Sequence, residues 1–258
     1  MGHPPVSEFN AFTDIISALR RRLFQAMLYE LQTGGGMCAA DLVTRLTDPD
    51  CVASQMEAIR ASLSKLRQLS VSAPSRVASR LARPNIHVLD IGAGKAPWSL
   101  AIASRDPTIF VTALDLPDQL TALQHSVNTA GLSGQFRLVS VDVFGPSWPP
   151  TTECDLIVIA NVCHLFDEQR NRKLLHRAAH CLRPGGTLAI IDQVLDEDPN
   201  WERWGALYLL GALHCAPGGH LFPVRKYRAW VNDIGSWQVA THPICPLPPL
   251  TLITALRT

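Results

Sequence analysis

The chain has 258 residues, of which 47% are hydrophobic and 17% are charged, and its formal net charge at pH 7 is +1. This length accommodates one large α/β domain with a helical extension, and the modest charge is typical of a folded protein. Nucleic-acid-binding proteins usually carry a basic domain or stripe, so the near-neutral charge argues against nucleic acid as a partner.

The seven cysteines and the N-terminus bear on cellular location. The cysteines contain no Cys-x-x-Cys pair and their number is odd, which fits neither a zinc ribbon nor a disulfide framework. We therefore predict no metal site and a reducing environment. No secretory signal is visible, and no stretch approaches about 18 consecutive apolar residues. The sequence predicts a cytoplasmic protein without a membrane partner.

The N-terminal third has a helical pattern. Apolar residues recur at three- and four-residue spacing from Phe12 to Leu31, which indicates an amphipathic helix. Two further helical stretches are expected at 39–46 and 54–69. Because an apolar stripe needs a surface to cover it, these helices predict a cap or a dimerisation element, the latter joining two copies of the chain as a homodimer.

A change of composition marks a domain boundary. Residues 70–85 are rich in serine, arginine and proline, and predict either a linker or a short helix bounded by turns. We place the boundary here, with a helical extension at 1–84 and the main domain at 85–258.

From His87 onward, continuous runs of valine, isoleucine and leucine alternate with helical segments. This alternation predicts a parallel sheet covered by helices on both faces, whose ligands bind at the carboxyl ends of the strands. The predicted strands are 87–91, 109–114, 136–141, 156–160 and 187–193, and the predicted helices are 98–104, 119–130 and 168–182.

The segment Val88–Gly94 reads VLDIGAG and leads from a buried strand directly into a glycine turn. Glycines let the backbone approach a ligand, here just before a helix begins. A nicotinamide-binding fingerprint has glycine or alanine at its sixth position, but this chain has Pro97 there. Asp90 also precedes the first glycine, where such turns usually stay apolar. The turn therefore argues against a dinucleotide.

Two more aspartates end predicted strands. Asp115 lies about twenty residues beyond the glycine turn, where an acidic side chain holds both hydroxyls of a ribose. Asp142 follows the third strand and is placed to meet an adenine amino group. One such aspartate alone is as readily a helix cap or a turn residue. With Asp90, however, three at consecutive strand ends predict one site for an adenosine-containing cofactor.

These motifs resemble the small-molecule O-methyltransferases of plants and bacteria that carry an N-terminal dimerisation domain. The resemblance rests on the VLDIGAG turn, Asp115–Pro117, Asn161–Glu168, Leu182–Gly186, and Ala216–Gly219 followed by Tyr227–Trp230. It implies a doubly wound, mostly parallel seven-stranded sheet of the Rossmann-like methyltransferase fold, with S-adenosylmethionine as the cofactor. By resemblance, the residues that bind this cofactor are Asp90, Gly92, Gly94, Asp115, Leu116, Asp142, Val143 and Asn161.

The resemblance also implies the reaction. In this family the histidine at the position of His164 is the general base that takes the proton from an acceptor hydroxyl, and by resemblance Asp192 orients it. The acceptor is expected to be a small secondary metabolite of aromatic or polyketide-like structure. The structural alternatives are a helix-start histidine bonded to backbone and an aspartate that only caps a loop.

The sequence departs from the family around the base. Leu165 stands where an aspartate usually follows the histidine, and His220–Leu221 replaces a second acidic residue of the plant members. Two alternatives therefore stay open. The same fold and cofactor site could methylate nitrogen or carbon, or rearrange, cyclise or decarboxylate a substrate; or the chain is an inactive, cofactor-binding partner subunit.

Overall fold

The computed structural model describes residues 72–148, 153–194, 222–246 and 249–258. Contacts between Cα atoms divide the chain into two compact units, Met1–Gln68 and Leu69–Thr258, and the described residues all lie in the second. The predicted N-terminal helices lie outside the described residues.

A seven-stranded sheet forms the centre of the described unit. The strands are β1 His87–Ile91, β2 Phe110–Asp115, β3 Phe136–Ser140, β4 Cys154–Ala160, β5 Leu182–Asp192, β6 Trp237–Pro246 and β7 Pro249–Arg257. Their order is β3-β2-β1-β4-β5-β7-β6. Strands β1 to β5 are parallel, whereas β7 is antiparallel to both β5 and β6. The prediction of a mostly parallel seven-stranded sheet is confirmed.

The helices within the described ranges are α1 (72–81), α2 (Pro97–Ala103), α3 (Pro117–Thr129), α4 (Glu168–His180) and α5 (Val224–Asn232), with short 3-10 turns at Ser133–Gln135 and Cys163–Leu165. None of the helices in the described ranges is long and apolar enough to cross a membrane.

Successive residues of the central strands point to opposite faces, so each strand contributes to two apolar clusters. Val88 packs with α1, α2 and α3 on one face, whereas Leu89 packs with α4 and α5 on the other. The sheet is thus buried on both sides, which explains its continuous apolar runs. The winding of the chain reverses between β1 and β4, which opens a crevice at their carboxyl ends.

Helix α1 settles the two alternatives for the serine-rich segment in favour of a short helix. Val77 and Ala78 are fully buried and Leu81 is nearly so, all within the core on one face of the sheet. The boundary between the two compact units lies between Gln68 and Leu69. The boundary that we predict from the sequence lies later, after residue 84.

Strand β5 begins five residues before the predicted start at residue 187, at Leu182. Its first half is irregular, because Gly185 has a positive φ of 75° and the pairing with β4 shifts register between Cys154 and Leu156. A proline-glycine-glycine sequence reads as a turn, but here it forms a bulged entry into the strand. Leu182, which the sequence places at the end of the helix 168–182, therefore belongs to β5, and α4 ends at His180.

Glu168 joins the two helices on one face of the sheet. Its carboxylate accepts hydrogen bonds from Lys226 Nζ at 2.8 Å and from Trp230 Nε1 at 3.1 Å, both on α5. These hydrogen bonds lower the pKa of Glu168 to about 2 from its ordinary 4.5.

We predict that Glu168→Gln lowers the melting temperature at pH 7. A carboxyl group whose pKa is lower in the folded protein stabilises it above the unfolded pKa, and that contribution is lost as the pH falls. The difference from wild type should therefore narrow below about pH 4.5, the ordinary pKa. Thermal unfolding measured from about pH 7 to pH 3.5 tests this, because the stabilisation by the Glu168 carboxylate begins to be lost near pH 4.5 and is lost fully near pH 2. Glu153→Gln, which removes an exposed carboxylate, is the control, and a pH-independent difference would contradict the prediction.

Candidate active site

The turn after β1 lies against two neighbouring strands. The backbone N–H groups of Gly92 and Ala93 donate to the Leu114 carbonyl near the end of β2, at 2.9 and 3.1 Å. On the other side, a Cβ atom at Gly92 would lie 2.7 Å from Cγ2 of Val162, just beyond β4. Gly92 also has a φ of 69°, so both its conformation and its surroundings require glycine.

The far side of this turn is open. Gly94 has a φ of 57°, and an added Cβ would meet no atom within 4 Å. The Gly94 N–H donates to Oδ2 of Asp115 at 2.6 Å, and the Leu116 N–H donates to Oδ1 at 2.7 Å. These two bonds fix the carboxylate beside the turn. The next side chain, Leu116, is apolar and yet 51% exposed.

Asp142 follows β3 and is exposed. Its Oδ1 accepts the Phe144 N–H at 2.8 Å, which is the turn geometry that an isolated aspartate often adopts. Val143 is half-buried, and its carbonyl accepts a hydrogen bond from Arg177 on α4 at 2.7 Å. Both residues lie at the same edge of the sheet as Asp115, because β2 and β3 are parallel neighbours.

Asp90 lies beneath the glycine turn, and only 2% of its surface is exposed. Its carboxyl group accepts a short hydrogen bond from the Ser99 hydroxyl on α2. Burial, together with the nearby charge of Asp115, raises the pKa of Asp90 to about 7 from its ordinary 3.8, although the Ser99 hydrogen bond acts to lower it. Asp90 therefore ties the turn to α2 and presents almost no surface to a ligand.

Asn161 turns the chain at the end of β4. It has a φ of 56°, which is uncommon for a residue other than glycine, and its N–H donates to the Ile191 carbonyl at 2.8 Å. The residue is exposed. Its left-handed conformation directs the following segment, which carries His164, back across the end of β5.

His164 and Asp192 form a direct pair. His164 Nδ1 lies 2.8 Å from Asp192 Oδ1, and the His164 N–H donates to Oδ2 at 3.1 Å. Asp192 is the last residue of β5 and is fully buried, whereas 13% of the His164 side chain is exposed. A carboxylate only accepts hydrogen bonds, so it holds the proton on Nδ1 and leaves Nε2 as the acceptor nitrogen.

Cys163 precedes the histidine but does not form a nucleophilic pair with it. The thiol is fully buried, and burial, with the charge of Asp192 nearby, raises its pKa well above 9.0. A nucleophilic cysteine requires a thiolate, so this thiol is unreactive. Tyr227 on α5 is also buried, and burial likewise raises its pKa well above 10.0.

The structure thus brings the predicted residues to one edge of the sheet in two groups, the glycine turn with Asp115 and the pair of His164 with Asp192. Val162 connects the groups, because it contacts Gly92 and lies two residues before the histidine. Neither Val162 nor Ser99 is identified by the sequence patterns. Ser99 had one signal, a polar residue on the buried face of a short helix.

We predict that the stability of wild type relative to Asp90→Asn falls as the pH rises from about 4 to about 7. The folded protein retains the Asp90 proton over this range because the pKa is raised to about 7, whereas the unfolded chain releases it near 3.8. The amide oxygen of asparagine still accepts from Ser99 but carries no charge. Urea unfolding at pH 4.5, 6 and 8 measures the difference.

The control for this series is Asp118→Asn, which removes an exposed carboxylate from α3. The titration of Asp90 falls largely between about pH 4.5 and pH 8. The prediction would be contradicted if the stability difference between wild type and Asp90→Asn stayed constant over this range.

Comparison with known proteins identifies the family. A family model described as an O-methyltransferase domain matches residues 28–234. Among curated proteins, the chain is similar to 3-hydroxy-5-methyl-1-naphthoate 3-O-methyltransferase of Streptomyces sahachiroi, with 25% identity over 154 residues, which are 60% of this chain and 44% of that relative. It is also similar to bacteriochlorophyllide d C-20 methyltransferase of Chlorobaculum tepidum, with 28% identity over 127 residues, 48% of this chain and 36% of that relative.

The fold is similar to that of an O-methyltransferase family protein from Burkholderia thailandensis, with a TM-score of 0.63 and 21% identity over 78% of this chain and 59% of that one. The chain spans less than half the length of the two curated relatives. Because the family model covers residues 28–234, well over half of the sequence, the chain belongs to the family of O-methyltransferase domains, whose cofactor is S-adenosylmethionine.

Proposed function

We propose that the chain transfers the methyl group of S-adenosylmethionine to a hydroxyl of a small aromatic or polyketide-like acceptor. The observation that carries the proposal is the contact of Gly92 with Val162, which puts the glycine turn next to the segment that holds His164. A cofactor turn and a paired histidine at adjacent strand ends are the two parts that this reaction needs.

The residues of the cleft fit an adenosine-containing cofactor. Asp115 offers a fixed carboxylate to the ribose hydroxyls, and Gly94 leaves open space above the turn. The exposed side chain of Leu116 suits the apolar face of a purine. We assign Asp142 and Val143 to the adenine end, Gly92 and Asn161 to the backbone contacts of the cleft, and Asp90 to support of the turn from below.

His164 is proposed as the base. When bound, S-adenosylmethionine supplies a methyl group on a positively charged sulfur. Nε2 of His164 accepts the proton of the acceptor hydroxyl, so that the oxygen becomes the stronger nucleophile. Asp192 then faces an imidazolium ring at 2.8 Å and stabilises its charge. Because Asp192 is fully buried, this stabilisation is little screened by solvent.

The relatives support the acceptor class. One of them is named for the 3-O-methylation of a hydroxylated naphthoate, a fused aromatic acid with a phenolic hydroxyl. Carbon methylation is the second candidate, because another relative is named for methylation at carbon C-20 of its substrate.

Further features of the proposal concern assembly and location. We assign homodimer formation to the apolar faces of the sequence-predicted N-terminal helices. Cys154, Cys163 and Cys181 are free thiols, which supports a reducing compartment such as the cytoplasm.

We predict that Asp115→Asn weakens binding of S-adenosylhomocysteine by about 10- to 100-fold, since two charge-assisted hydrogen bonds to a ribose weaken together. Isothermal titration calorimetry of the purified chain measures the change. Asp118→Asn removes a carboxylate three residues away, on the exposed first turn of α3, and should bind like wild type. Equal binding by both variants would argue against Asp115 as a cofactor ligand.

We predict that His164→Gln lowers kcat for methylation of hydroxylated naphthoates by roughly 100- to 10,000-fold, the usual range for loss of a general base. Binding of S-adenosylhomocysteine should persist, because the cleft beside β1 and β2 is unchanged. His176→Gln on the exposed face of α4 is the matched control. A His164→Gln enzyme as fast as wild type would exclude the histidine as the base.

A further inference from the structure

We propose that Asn171 is a positioning residue that holds His164 in its working orientation; the inference rests on the proposed role of His164 as base. Asn171 lies on α4, seven residues after the histidine, and is fully buried. Its Nδ2 donates to the Cys163 carbonyl at 2.9 Å and to the Phe166 carbonyl at 3.0 Å.

These two carbonyls are the ends of the turn that contains His164. The Phe166 N–H donates to the Cys163 carbonyl at 3.2 Å, which closes a single turn of 3-10 helix. One side-chain amide therefore binds both ends of the turn, and His164 lies between them. A rotation of the turn would break at least one of these bonds inside the core.

Asp192 and Asn171 hold the turn through different groups. Asp192 binds the His164 backbone N–H and its ring, whereas Asn171 binds the flanking carbonyls. The helix that carries Asn171 is itself anchored, since Leu174 and Leu175 are fully buried in the same apolar cluster as Cys163. The histidine is thus fixed relative to both β5 and α4.

The orientation of the Asn171 amide follows from its surroundings. Turning the amide over would place Oδ1 against two carbonyl oxygens, so Nδ2 must face them. In the described part of the chain, Oδ1 is buried without a hydrogen-bond partner. A buried, unpaired acceptor is destabilising. An apolar residue at this position would avoid that loss of stability. We therefore attribute the presence of asparagine to the two hydrogen bonds that its Nδ2 donates.

The test substitutes Asn171→Leu, which has a similar size and an apolar side chain, with Asn171→Ala as a second variant that cannot overpack the core. The first readout needs no substrate. In the wild type, the Nδ1 proton of His164 held by Asp192 should give a low-field proton NMR resonance, which His164→Gln assigns by its loss. Both Asn171 variants should lose or broaden this resonance while binding S-adenosylhomocysteine within about twofold of wild type.

The second readout is kinetic. Methylation of the naphthoate probe by the Asn171 variants should show kcat lowered by about 10- to 100-fold with KM nearly unchanged, the effect of a misplaced base rather than of lost binding. Leu123→Ala, which opens a cavity on the buried face of α3 in the apolar cluster on the other side of the sheet, is the control for lost stability and should retain both the resonance and kcat.

The proposal would be overturned if both Asn171 variants kept the wild-type resonance and kcat. It would also be overturned if Leu123→Ala lost the resonance to the same extent, or if the wild type did not show it. If no hydroxylated naphthoate is methylated by the wild type, the proposed function fails on this acceptor. The resonance still decides whether Asn171 positions His164.

Discussion

The close approach of Gly92 to Val162 is the contact on which the rest of the site depends. A side chain at Gly92 would place Cβ 2.7 Å from Cγ2 of Val162, so the turn after β1 can lie against β4 only without one. Two residues after Val162 comes His164, paired with Asp192 at the end of β5. The contact of Gly92 with the Val162 side chain thus holds the glycine turn close to the segment that carries the proposed base.

The carboxyl groups at this edge of the sheet have different environments. Asp192 is buried but accepts hydrogen bonds from His164 and from the Gln193 N–H, so its charge is compensated. Asp90 is buried with a single short hydrogen bond from Ser99, and its pKa is raised to about 7. Asp115 is half-buried at the open side of the turn. We therefore propose an orienting role for Asp192, a supporting role for Asp90 and a ligand-binding role for Asp115.

The sequence predicts the parallel strands and the edge of the sheet at which the proposed site residues lie, because continuous apolar runs and glycine turns depend on local chemistry. The sequence-based prediction fails where packing between different elements determines the structure. The proline and glycines before residue 187 read as a turn, although pairing with β4 draws them into β5 from Leu182. Burial of Asp90 and the bonds of Asn171 depend on contacts between elements. A polar residue on the face shared by Leu174 and Leu175 was the one sequence signal for Asn171.

We propose that this site moves a methyl group onto oxygen, with a paired histidine as the base. The most direct measurement is the stoichiometry of the reaction with S-adenosylmethionine carrying a ¹³C-labelled methyl group, followed by mass spectrometry and NMR of the products. We expect one S-adenosylhomocysteine for each methylated acceptor, with the label bound to oxygen. A label bound to carbon, or a product formed without S-adenosylhomocysteine, would contradict it.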